Sequence, residues 1–147
     1  AANDTAKARL AAAISLYRMG KISLSEYEIR QLLRLERHID RGTTVRALLQ
    51  LSNVHREFGD FLLAEVEASR SLQIAEKAGD KQLEAYAHHA LGSIFQEREE
   101  HDEALSHFHS ALGRYRDCGD LQRGHHMTPV ATALRGGWRR CQRWRAE

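Results

Sequence analysis

Between Lys81 and Asp120 apolar residues recur at helical spacing in two runs separated by a charged turn. His88, Leu91, Gly92 and Phe95 share one face by the i, i+3, i+4, i+7 rule, and Ala104, Phe108 and Ala111 do the same in the second run. The pattern predicts two helices that fold back on each other. Small residues at Gly92 and Ala104 let the backbones approach, and Phe95 and Phe108 fill the space beside them. Gly119 and Asp120 close the unit, glycine suiting a left-handed helix stop and aspartate the start of a new segment.

The same unit is legible 40 positions earlier. Leu48, Leu51, Ser52 and His55 supply an inner face, Gly59 and Asp60 the turn, Ala64, Ala68 and Ser71 the second helix, and Gly79 and Asp80 the close. With only Ala68 where a bulky residue is wanted, Phe58, Phe61, Leu62 and Leu72 are expected to fill the space. A first hairpin spans roughly residues 4–40: Leu10, Ala13, Ile14, Leu16 and Tyr17 form one stripe, Gly20 breaks it, Ser23 or Ser25 is placed to cap the next helix, and Ile29, Leu32, Leu33 and Leu35 come after. Aligning Gly20 with Gly59 puts Ser25, Ile29 and Leu32 at core positions of the second helix and Arg9 at one of the first. The segment 121–147 leaves the pattern. Thr128 and Pro129 can start a helix carrying Val130, Leu134, Trp138, Cys141 and Trp144, read as a cap over the third hairpin, although Gly136 and Gly137 weaken it.

The order Leu91, Gly92, Phe95, Ala104, Phe108, Ala111 resembles the tetratricopeptide repeat, with its Leu-Gly, aromatic, Ala, aromatic, Ala pattern. His88 stands at that family's first aromatic position, and Arg116 replaces its usual helix-ending proline, so the second helix can run longer. In this the chain is similar to the longer variant with a period of about 40 residues, of the partner-of-inscuteable and kinesin light chain types. The resemblance implies an all-α fold: a right-handed superhelix of antiparallel hairpins, here approximately 4–40, 41–80 and 81–120, with a C-terminal capping helix. It also implies a non-catalytic scaffold that binds a segment of a partner protein.

Composition narrows this only a little. The 147 residues fit one domain, a single proline favours helix throughout, and no run is apolar enough to span a membrane. Cys118 and Cys141 are too few for a disulfide framework or a zinc site, so a reducing, cytoplasmic setting is the simple expectation. A first residue of Ala rather than Met reads as an excised or processed piece. Net charge is +2, but Arg123, Arg135, Arg139, Arg140, Arg143 and Arg145 face only Glu147 in the tail. Arginine interleaved with tryptophan can touch phosphates and bases, yet no nucleic-acid motif accompanies it, and a solvated helix face is preferred.

Histidines come in neighbours, His88 with His89 and His125 with His126, with His107 and His109 between. Residues one or two apart on a helix point different ways, so no pair makes a ligand set, and neither metal nor cofactor is called for. His55 and His88 read as core residues, and Glu97, Glu99, Glu100, Asp102 and Glu103 as a solvated turn. There is no phosphate loop, nucleophile elbow or Cys-His-acid arrangement, and no catalytic residue is assigned.

What remains is the surface a stack of hairpins creates, whose hollow side is lined by the first helix of each pair. The candidate partner-binding residues are Arg46, Leu49, Gln50, Asn53 and Arg56 in the second unit and Tyr86, His89, Ser93 and Gln96 in the third. Lys7, Ile14, Tyr17 and Arg18 join from the first. An asparagine both donates to and accepts from a peptide amide, and arginine takes carboxylates bidentately. The expected partner is therefore an acidic or mixed peptide segment of another protein. Two other readings stand beside it: a regulatory segment whose basic tail contacts nucleic acid, and a self-association module stacking through the repeat ends.

Overall fold

The computed structural model describes residues 1–120, Gln122 and Arg123. The expected capping helix and, apart from Arg123, the arginines of the basic tail lie outside the described residues. Three antiparallel helical hairpins stack in chain order: α1 (Ala2–Arg18) with α2 (Ile22–Leu33), α3 (Arg41–Glu57) with α4 (Phe61–Ala78), and α5 (Lys81–Glu97) with α6 (His101–Asp117); a short 3-10 turn, Glu36–His38, precedes α3. The second helices α4 and α6 run 18 and 17 residues, as the missing proline allows. Each hairpin also packs on the next, α2 against α3 and α4 against α5.

Every hairpin crossing solves one steric problem in its own way. In the third, a Cβ on Gly92 would lie 2.7 Å from the Phe108 ring, so only glycine fits. Forty residues earlier the equivalent pair is Ser52 and Ala68, and 39 before that Ala13 and Ile29, all buried: the bulkier one member, the smaller the other. The smaller partners leave room for hydroxyls. Ser52 Oγ donates to the Ala64 carbonyl at 2.8 Å, and Ser25 Oγ donates to the Ala13 carbonyl at 2.7 Å, each tying the two helices of its hairpin.

Several expectations change here. Ser25 is a buried tie and neither it nor Ser23 caps α2, which starts after Lys21 without a side-chain cap. Aspartates do cap α3, α4 and α5: Asp40 accepts from the Thr43 amide, Asp60 from Leu63 and Asp80 from Gln82 and Leu83. Phe58 and Leu62 do not fill the space beside Ala68. They are 53% and 71% exposed, while Phe61, Leu72 and the next helix's Leu91 and Ile94 close it. Arg9 takes a core register yet stays half-buried by pairing with Glu28 of α2 at 2.8 Å. His55 is more than packing, being held between Glu67 at 2.7 Å and Glu26 at 3.7 Å. Burial pushes the Glu67 carboxyl up, and its bond to His55 opposes that. The acidic turn is partly paired as well, Glu97 with Arg56 and Glu100 with Arg98.

The turns within the hairpins share a left-handed residue: Gly20 and Gly59 at φ 78°, and Glu99 at φ 62°. A side chain there costs about 1 kcal/mol or more relative to glycine. At the family's first aromatic position, His88 is buried with Nδ1 3.1 Å from His107 Nδ1, and His107 lies flat on Phe95, ring centroids 5.4 Å apart. Burial, then Arg114 and His107, lowers the His88 pKa to about 4 against the pull of Glu84; burial lowers His107 too. Both imidazoles are therefore neutral in the fold.

Gly92→Ala is expected to cost roughly 1–3 kcal/mol in a denaturant titration, because the Phe108 ring must move; Phe108→Leu in the same chain should recover part of it. Glu99→Gly should raise stability by about 1 kcal/mol. The His88 pKa is depressed on folding, so its stabilisation is complete above the unfolded value near 6.5 and is lost as pH falls toward 4. Unfolding free energies from denaturant titrations at pH 7 and pH 5 should differ by about 2 kcal/mol from this group, and His88→Phe should flatten that slope.

Candidate functional site

The face formed by α1, α3 and α5 carries two concavities. One, of about 300 Å³, is lined by Leu49, Asn53 and Arg56 of α3, Tyr86, His89, Ala90 and Ser93 of α5, Tyr115 of α6, and Arg123. Helical spacing explains the grouping: Leu49, Asn53 and Arg56 succeed one another at i, i+4, i+7, as do Tyr86, Ala90 and Ser93, so each trio forms one stripe of its helix. The other, of about 410 Å³, lies toward the start of α3 and α5. Leu10, Ile14 and Leu83 give it an apolar lining, and Lys7, Asp40, Arg46 and Asp80 a charged one.

Six of the nine sequence-selected residues thus meet in the first concavity: Leu49, Asn53, Arg56, Tyr86, His89 and Ser93. Arg46 falls in the second, with Lys7 and Ile14. Gln50 and Gln96 line neither; the Gln50 Nε2 is shut off from solvent with no acceptor among the described residues, and Gln96 is exposed. Tyr17 donates to Glu57 of α3 at 2.9 Å, and Arg18 is exposed at the end of α1.

Tyr115 and Arg123 were not anticipated. Tyr115 comes after Phe108 and Ala111 on the core side of α6, where it reads as packing, and a tyrosine hydroxyl at such a position is the available signal, since it needs a partner when buried. It lies 3.5 Å from His89 Nδ1, and burial pushes its pKa up to about 12, so it keeps its proton. Although part of His89 reaches solvent, its crowded surroundings, then Arg123 and Arg56, lower its pKa, leaving a neutral ring. The Arg123 guanidinium sits 4.6 Å from the Tyr86 ring centroid and its Nε 3.4 Å from Asp120.

The fixed cations of this concavity are therefore Arg56 and Arg123, around the amide of Asn53 and the hydroxyls of Ser93 and Tyr115. Arg56 is already engaged within the chain. Its Nε lies 3.3 Å from Glu97 of α5, out of line for a hydrogen bond. Such a pair remains open to a better-aligned carboxylate. The described residues hold no group of three or more His, Cys, Asp or Glu arranged for a metal ion. No helix among them is long and apolar enough to cross a membrane.

A family profile for the tetratricopeptide repeat matches residues 43–117, about half of the sequence, and the chain belongs to that family. Among solved structures it is similar to the type III secretion translocator chaperone SycD of Yersinia enterocolitica, at 18% identity and a TM-score of 0.74 over 92% of this chain and 87% of that one. It is also similar to BtubC (BKLC) from P. vanneervenii, at 14% identity and a TM-score of 0.65 over 91% of this chain and 64% of that one. At these identities the likeness is one of fold, a TPR-like helical-repeat superhelix. Curated protein sequences give no match.

Proposed function

We propose that this chain is a non-catalytic scaffold that captures an extended peptide segment of a partner protein along the α1–α3–α5 face. The observation that carries the reading is the meeting of Asn53, Arg56, Tyr86, His89 and Ser93 around one concavity, with Arg46 ten residues from Arg56 on the same helix in a second one. Ten residues of helix span about 15 Å, the length of four or five residues of extended peptide at ~3.3 Å each. Asn53 holds the backbone amide, Arg56 and Arg123 receive a carboxylate, and Leu10, Ile14 and Leu83 take an apolar side chain at the far end. The peptide is acidic at one end and apolar at the other. The 40-residue step and the long second helices support the longer-period variant of the family.

The test uses fluorescein-labelled ten-residue peptides in two sets, one with a Glu-rich end and an apolar end, the other with the same composition scrambled, and reads anisotropy. Binding of the ordered set should weaken at least about tenfold in the variant carrying Arg46→Ala, Asn53→Ala and Arg56→Ala, given ~1.5–3 kcal/mol for each lost charged hydrogen bond. Equal binding by the equally helical variant, or no preference for the ordered set, sinks the reading.

A further inference from the structure

Opposite in character to the polar groove is a set of large apolar side chains left in solvent. Met19, Leu24 and Tyr27 of the first hairpin and Phe58, Leu63 and Val66 of the second are between 46% and 65% exposed. They are not scattered, as single exposed apolar residues usually are. Each member of the second trio lies 39 positions after its counterpart in the first: Phe58 after Met19, Leu63 after Leu24, Val66 after Tyr27. That step is the one that carries Gly20 to Gly59 at the turn, so the two trios occupy equivalent places on consecutive hairpins. Both α2 and α4 pack on α3, and Glu26 of α2 and Glu67 of α4 close on the same His55, which sets the two trios side by side on one flank of the stack. In the third hairpin the same places hold Arg98, Glu103 and Ser106, and Arg98 is engaged by Glu65 and Glu100. The patch therefore has two rows and a charged border.

We infer that this patch is the surface through which a second copy of the chain docks, forming a two-fold dimer and leaving the groove free. Its extent fits. Together with Leu62, which is 71% exposed, seven side chains at roughly 100 Å² of exposed surface each offer on the order of 700 Å², near the ~800 Å² per partner of a standard interface. Its two rows fit as well. A two-fold axis lying in the patch and running along α2 and α4 sets the first row of one copy on the second row of the other. Tyr27, the bulkiest of its row, then meets Val66, the smallest, while Leu24 meets Leu63 and Met19 meets Phe58. Such a contact is closed, so assembly stops at two chains. The border at Arg98 and Glu103 opposes a slip of one hairpin, which would set apolar side chains of one copy on charged ones of the other.

Sedimentation equilibrium of the full chain over a wide concentration range tests this. The expected result is a monomer–dimer equilibrium whose dissociation constant rises at least about 100-fold in the variant Leu24→Glu with Leu63→Glu, since each copy then buries unpaired carboxylates. Circular dichroism should show unchanged helicity, both sites being about half exposed; Val66→Glu alone is the milder second variant. A wild-type chain that stays monomeric throughout, or a dimer unaffected by these folded variants, overturns the assignment.

Discussion

No hairpin in this chain can bury both sides of its second helix by itself, and the fold depends on the contact that relieves this, one hairpin packed on the next. Leu33 of α2 packs on the cluster that includes Ala47, Leu51 and Val54 of α3, and Leu72 of α4 on those that hold Leu83, Ala87, Leu91 and Ile94 of α5. Stability in such a stack is a sum of nearest-neighbour terms, so no long-range contact compensates for a weak junction. Polar stitches reinforce both junctions, with Arg70 on Glu36 and Arg98 on Glu65, each at 2.6 Å. Exposed pairs of this kind add little individually.

The hollow side is built from the same kind of stitch. Tyr17 reaches Glu57, and Arg56, 39 positions after Tyr17, reaches Glu97. One rung thus repeats along the groove, always from one hairpin to a glutamate on the next. Arg56 is for this reason part of what joins the hairpins, and on the reading proposed above a carboxylate arriving there would displace Glu97 rather than fill an empty position.

The helices, their pairing and the 40-residue step were legible because they rest on local signals: periodicity, small residues at crossings, glycine and aspartate at turns. Side chains with two possible roles were not. Ser25 has the chemistry of a helix cap, and only the packing of α2 on α1 makes it an internal tie. Phe58 and Leu62 have the size to fill a gap beside Ala68, but stand on the outer side of the turn, and Leu91 and Ile94 from the next hairpin reach the gap first. In the groove, residues read from the first helices alone came together as a set. Tyr115 was missed because it enters from a second helix, and Arg56's partner because a long glutamate side chain crossing between hairpins leaves no mark in sequence spacing.

The inverse sizes at the three crossings carry a consequence for anyone redesigning this repeat. Gly92 with Phe108, Ser52 with Ala68 and Ala13 with Ile29 are alternative answers to one volume. A consensus chosen column by column averages the two members independently and can mate a glycine with an alanine, leaving a void, or a serine with a phenylalanine, forcing a clash. The unit of exchange between these repeats is the pair, and a library that shuffles whole crossings keeps what a library of single positions destroys.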